Sequence, residues 1–193
     1  RSRYHPPRGR ETIEVVRFQW HLPDALRVRS TGEQLLRLCT RTLPETLPRR
    51  FGLFEPLQGK VIDDDYSAFL DGWDEAAAAP YGDSVHFDSS PPCYGGSISF
   101  SDPRDDVPRS RGGRMRVLIA LEFDGRAFRH PKWRDSGAAL FEAVAQRLDA
   151  FYAIGYVERN VIAKGRGLWF DGNSEKYPLP RTNRWIGIPP VPA

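Results

Sequence analysis

Long apolar runs and cysteines are scarce in this chain of 193 residues. No stretch of about 18 consecutive apolar residues occurs, so neither a transmembrane helix nor a membrane partner is expected. Cys39 and Cys93 are the two cysteines, too few for the disulfide framework of a small secreted scaffold, and we expect both to be reduced and packed. The basic residues 1–10 lack the apolar segment of a secretory signal. The predicted location is cytoplasmic.

Recognisable catalytic motifs are also missing. The chain contains no Gly-x-Ser-x-Gly nucleophile elbow, and its glycines are too sparse for a P-loop or a dinucleotide-binding fingerprint. His86 and Asp88 would point the same way on an extended segment, which makes them weak metal-ligand candidates. Zinc sites normally have paired ligands at fixed spacings, so an ordinary surface loop is favoured. We predict no catalytic residue, no metal site and no cofactor.

Charge is unevenly distributed along the chain, although the net charge is only +3. Residues 1–50 contain eleven Arg and five acidic residues, whereas residues 51–100 contain one Lys, no Arg and nine acidic residues. Such an asymmetry either steers a charged partner or is neutralised within the fold. The candidate partner-binding residues are Asp63, Asp64, Asp65, Asp71, Asp74, Glu75, Asp83 and Asp88.

Structural roles compete with partner binding for these carboxylates. The triplet at residues 63–65 precedes the helical pattern of Tyr66, Phe69 and Trp73, where an N-cap and the helix dipole favour acidic side chains. The other acids would then occupy a solvated helix face. Glu55 lies in an apolar stretch, where partial burial would raise its pKa. Lys60 is close in sequence, and an ion pair between the two is the simpler expectation.

Hydrophobic periodicity predicts several elements in the first two thirds of the chain. Residues 12–21 predict a strand that buries Val16, Phe18 and Trp20, and residues 114–123 predict a central strand. Ser30 to Glu33 has the spacing of a capping box, so a helix should begin there and end before Pro44. Residues 81–95, rich in Gly, Asp, Ser and Pro, predict a loop, and residues 101–113 predict an exposed connection.

The strongest helical pattern extends from Pro131 to Ile154. Pro131 suits a first helical turn, and Gly155 suits a C-terminal cap. A brief return strand is predicted before this helix at Arg126 to Phe128, and further strands are predicted after it at 157–162 and 167–170.

These elements predict a single α+β domain, with a mainly antiparallel sheet, helices packed on it and one long helix near 131–154. Residues 1–11 are expected to form a flexible basic arm. Residues 12–193 would form the domain, including an extended proline-rich C-terminal tail. The arm could contact nucleic-acid phosphates, but terminal arms are more often disordered, so a nucleic-acid partner is not favoured. The sequence does not determine the oligomeric state.

Three stretches resemble small bacterial immunity proteins of polymorphic toxin systems: Leu47-Pro-Arg-Arg-Phe-Gly-Leu-Phe-Glu-Pro56, Phe69-Leu-Asp-Gly-Trp73 and Asp149-Ala-Phe-Tyr152. The resemblance covers residues 30–155 and the α+β layout, and it transfers no functional residue. It implies a non-catalytic protein that binds and neutralises a partner toxin through a charged surface. The acidic segment would then face a basic, nucleic-acid-processing toxin. The alternative is a metal-dependent hydrolase or nuclease that uses carboxylates of residues 55–88.

Overall fold

The computed structural model describes residues 9–101, 117–164, 167–169 and 175–178. Within these residues the strands are β1 (Arg10–Leu22), β2 (Arg50–Gly52), β3 (Gly59–Lys60), β4 (Asp83–Asp88), β5 (Cys93–Phe100), β6 (Val117–Asp124), β7 (Tyr152–Lys164), β8 (Gly167–Trp169) and β9 (Glu175–Pro178). The α-helices are α1 (Arg29–Thr42), α2 (Ser67–Ala78) and α3 (Pro131–Arg147). Short 3-10 helices occupy Asp24–Leu26, Pro44–Thr46 and Ala127–Arg129.

The strands form one antiparallel sheet in the order β3-β2-β4-β5-β6-β1-β7-β8, with β9 paired to β7. Strands β6 and β1 lie at the centre of this order. Both are rich in buried apolar side chains. The described residues therefore form a single α+β domain, as the sequence predicts. No helix in this part of the chain is both long and apolar enough to cross a membrane.

The helices pack on one face of the sheet, where the main core lies. Phe18 of β1 is fully buried and stands beside Leu121 of β6 in the antiparallel register. Helix α3 packs over this region. The indole of Trp20 donates a hydrogen bond of 3.1 Å to the carbonyl of Phe141 in α3. Burial of such large rings supplies much of the stabilising apolar area.

Helix α2 covers the other half of the same sheet face. The ring of Phe69 lies 5.8 Å from that of Phe87 on β4, and the ring of Trp73 lies 5.2 Å from that of Phe100 on β5. Helix α1 contributes Leu35, Leu36 and Cys39 to the same core. Among the described residues, the opposite sheet face carries no helix. Its small apolar cluster consists of Ile13, Val15, Val161 and Ala163, with Tyr94 and Leu168 packed against it.

The predicted long helix is wrong in its C-terminal part. Helix α3 ends at Arg147, with Leu148 as its C-cap residue, and Asp149 has a left-handed φ of 48° that stops helical propagation. The chain then enters β7, where Gly155 pairs with Phe18 instead of capping a helix. The helical spacing of apolar residues continues past the true end by coincidence.

The predicted loop at 81–95 is wrong over residues 83–88 and 93–95, because β4 and the start of β5 lie there. Val85 and Phe87 alternate with more exposed residues, which is the pattern of a half-buried strand. The return strand at 126–128 is instead a 3-10 helix. The capping box does not form either, since α1 begins at Arg29 with Val28 as the N-cap residue and no side-chain cap.

Several predictions fall partly or wholly outside the described residues. Arg10 and Glu11, placed by the sequence in the basic arm, belong to β1. The rest of the arm at residues 1–8, the connection at 102–116 and the tail at 179–193 lie outside the described ranges.

Candidate partner-binding surface

Asp63, Asp64 and Asp65 form an exposed turn ahead of α2 and do not belong to its first helical turn. Asp65 accepts a hydrogen bond of 2.9 Å from the backbone N–H of Ser67, and this bond lowers the pKa of Asp65. Asp63 and Asp64 have φ values of 51° and 57°, a left-handed conformation that Asp and Asn tolerate better than most residues. A local hydrogen bond at the entry to α2 therefore explains Asp65 and leaves Asp63 and Asp64 unexplained.

A cavity of about 690 Å³ borders this turn, and we call it the turn cavity. Its volume lies within the range of typical ligand sites. The apolar part of its lining consists of Pro44, Leu47, Pro48, Val61 and Tyr66, and the polar part consists of Thr40, Arg49, Asp63, Asp64 and Ser90.

Tyr66 and Arg49 determine the polarity of the turn cavity. Burial, followed by the nearby negative charge of Asp64, raises the pKa of Tyr66, so the phenol stays neutral at physiological pH. The guanidinium of Arg49 donates a hydrogen bond of 2.9 Å to the hydroxyl of Ser90. In the described residues, neither Asp63 nor Asp64 forms an ion pair with this or any other cation.

The acidic residues of α2 are arranged differently, because two of them share one cation. The guanidinium of Arg29 donates to the carboxylates of Asp71 and Asp74 at 2.8 and 2.9 Å, and these hydrogen bonds raise the pKa of Arg29. Glu75 is exposed on the same helix, and Asp83 is exposed at the start of β4. Part of the negative charge of the acidic segment is thus balanced within the fold.

Asp88 and His86 lie on β4 and not in a surface loop. Both line a second cavity of about 340 Å³ on the sheet face opposite the helices, together with Ser97, Glu122 and Glu55. Glu55 is exposed, so the predicted partial burial of this side chain is wrong. Across the described ranges, no three His, Cys, Asp or Glu side chains are placed to hold a metal ion.

Sequence reasoning missed a buried ionic network on this second face. Arg17 of β1 donates to the carboxylate of Glu122 on β6 and lies 3.4 Å from that of Glu158 on β7. Arg17 also donates to the hydroxyl of Tyr156 at 3.3 Å. Burial raises the pKa of Glu122, and the positive charge of Arg17 opposes this shift. The register that brings these strands together could not be read from charges so far apart in sequence.

The two cysteines are free and buried. Burial raises the pKa of Cys39 to about 11, and burial likewise raises the pKa of Cys93. Both thiols are therefore protonated at neutral pH, which makes them packing residues and poor nucleophiles.

No family model matches the chain, and no curated protein matches it. Among solved structures, the chain is similar to a Pseudomonas aeruginosa T6SS protein, PA0821, with a TM-score of 0.39 and 12% sequence identity. The alignment covers 77% of this chain and 41% of that chain, so this chain spans less than half of the length of that protein.

Proposed function

We propose that the protein is a non-catalytic, immunity-type binding protein that neutralises a basic partner toxin through its acidic segment. The observation that carries this proposal is the turn at Asp63 and Asp64. Both carboxylates are exposed, have no ion-pair partner among the described residues and have no role in capping α2.

The turn is unfavourable for the isolated fold in two respects. Adjacent carboxylates repel one another, and left-handed backbone angles cost energy for residues other than glycine. Both costs are accounted for if the turn serves a function, because a basic partner is attracted to concentrated negative charge and is oriented by it.

Asparagine at positions 63 and 64 provides a clean test. Asn tolerates left-handed angles at least as well as Asp, so the double variant Asp63→Asn with Asp64→Asn removes charge and keeps the turn. The partner to assay is the protein encoded by a toxin-like neighbouring reading frame. At low salt, we expect the association rate of the double variant with that protein to fall by about tenfold or more, and protection of toxin-expressing cells to weaken.

The matched control is Asp71→Asn with Asp74→Asn, which removes the same formal charge from residues already paired with Arg29. This control should slow association less than the variant of the turn. The proposal fails if the wild-type protein neither binds the neighbouring gene product nor protects cells from it. Equal association rates for the wild-type protein and the turn variant would show that the turn does not contribute to the interface.

A metal-dependent hydrolase or nuclease using carboxylates of residues 55–88 is less well supported by this geometry. His86, Asp88, Glu55 and Glu122 share a cavity, yet the described residues hold no three-ligand metal arrangement. A thermal shift on addition of Mg²⁺, Mn²⁺ or Zn²⁺ that disappears in Asp88→Asn would reverse this preference.

A further inference from the structure

We infer that the turn cavity is a pocket for a single arginine or lysine side chain of the partner protein. The inference rests on the proposed function and specifies the contact that the partner makes. Three features of the cavity carry it: an apolar wall, two carboxylates that form no ion pair within the described part of the chain, and hydrogen bonds between the lining segments.

The apolar wall suits the stem of a long basic side chain. Leu47, Val61 and Tyr66 are partly buried residues packed against the main core, and all three line the cavity. Arginine and lysine bury their methylene groups along such surfaces and keep the charged end at polar groups. Tyr66 also contributes an aromatic ring to the lining, and guanidinium groups are attracted to such rings.

The charge in the lining selects a cation. Asp63 and Asp64 are exposed and form no ion pair within the described residues. The lining also contains Arg49, which donates to the hydroxyl of Ser90, so its two negative charges exceed its one positive charge. An apolar side chain in the cavity would desolvate the two carboxylates without compensation. An acidic side chain would be repelled by them. A guanidinium or ammonium group satisfies them with charge-assisted hydrogen bonds.

Backbone hydrogen bonds connect the chain segments that line the cavity. The N–H of Val61 donates to the carbonyl of Arg49 at 2.9 Å, and the N–H of Arg49 donates to the carbonyl of Asp88 at 2.9 Å. Ser90 is tied by its N–H to the carbonyl of Glu45 at 3.1 Å. A pocket formed before binding loses less entropy when it is filled, so a single inserted side chain can serve as an anchor.

The pocket can be tested with N-acetyl-arginine amide as the probe and N-acetyl-citrulline amide as its neutral counterpart. In NMR titrations of the protein, we expect the arginine probe to shift the amide signals of Thr40, Val61 and Ser90 in a saturable way. The citrulline probe should bind at least about tenfold more weakly, because it lacks the charge.

Two variants and one control separate the effect of cavity shape from the effect of charge. Thr40→Phe places a ring on an exposed residue of the lining and should abolish the shifts, whereas Thr42→Phe on the same helix lies outside the lining and should preserve them. Asp63→Asn with Asp64→Asn should weaken the arginine probe to the level of citrulline. Equal binding of the two probes, or shifts centred on the cavity of Asp88 and Glu122, would overturn the inference.

The same variants distinguish the inference from the proposed function. Suppose that Thr40→Phe binds the partner toxin normally while the Asn variant of the turn does not. This result would contradict the inferred pocket and support the proposed acidic interface. If the arginine probe binds the turn cavity but the wild-type protein binds no toxin, the pocket stands and the proposed function fails.

Discussion

At the scale of single residues, the buried ionic network on the second sheet face is the feature most sensitive to substitution. Arg17→Met removes the shared cation of Glu158, which is buried, and of Glu122, which is partly exposed. Breaking a fully buried ion pair costs about 3–5 kcal/mol, and because Glu122 is partly exposed, urea unfolding should show a loss near the lower end of this range. Glu122→Gln keeps an acceptor for Arg17 and removes one of two competing charges, so it should cost about 1 kcal/mol or less. Equal losses in the two variants would contradict this account.

The raised pKa of Glu122 adds a pH dependence with a definite sign. The folded protein holds the proton of Glu122 more tightly than the unfolded chain, whose value is near 4.5. Stability contributed by this group is therefore full below pH 4.5 and declines as the pH rises through the folded-state pKa. Glu122→Gln lacks this decline, so its free energy of unfolding should increase relative to wild type between pH 4.5 and 7. Urea titrations of both proteins across that pH range measure the difference between their free energies of unfolding. A difference that stays constant or falls as the pH rises would rule out the effect.

At the scale of secondary structure elements, two glycines in neighbouring helices respond oppositely to the same substitution. A Cβ at Gly32 of α1 would lie 2.9 Å from Leu70 and 3.1 Å from the buried ring of Trp73 in α2. A Cβ at Gly72 of α2 would meet nothing within 4 Å. We expect Gly32→Ala to destabilise the protein by about 1–3 kcal/mol through overpacking. Gly72→Ala should stabilise it by about 0.5–1 kcal/mol through helix propensity.

Thermal unfolding followed by circular dichroism measures both effects. The comparison isolates packing, because the chemical change and the helical environment are the same in the two variants. Stabilisation by both substitutions would show that α1 and α2 can move apart at no cost.

Elements specified by local pattern could be predicted from the sequence, whereas elements specified by tertiary pairing could not. Strands β1 and β6 alternate strongly enough to predict their buried residues. Strand β4 is rich in polar residues and forms because α2 covers Val85 and Phe87. The end of α3 is determined by the pairing of the following segment, where the N–H of Phe151 donates to the carbonyl of His21 at 3.1 Å.

The same distinction applies to the candidate site. The acidic residues of the middle segment could be named from the sequence, and their excess over basic residues was evident. Their ion pairs could not be predicted, because the pairing of Asp71 and Asp74 with Arg29 depends on the packing of α1 against α2. The turn cavity was equally hidden, since its lining comes from Thr40, residues 44–49, residues 61–66 and Ser90.

At the scale of the whole molecule, one core joins both cysteines. Cys39 of α1 and Cys93 of β5 belong to the same hydrophobic cluster and are both buried. With a pKa of about 11 for the buried Cys39, only about one thiol in a thousand is ionised at pH 8 in the folded protein. We expect both thiols to react with a disulfide reagent only upon global unfolding, and therefore at the same rate.

The single-cysteine variants Cys39→Ala and Cys93→Ala allow each rate to be measured separately. Urea concentrations below the unfolding midpoint should accelerate both reactions equally, because each reports the same opening event. Earlier reaction of Cys39 would show that the α1 layer detaches from the sheet before the sheet itself opens.

The turn cavity has a further consequence, because its walls come from four separate parts of the chain. A side chain that contacts all of them holds those parts together only in the folded state, so occupancy and folding are thermodynamically linked. A partner present at 100 times its dissociation constant would add about 2.7 kcal/mol to stability. The lifetime of such a protein in the presence of proteases would then depend on the supply of its partner, and unbound molecules would be degraded first.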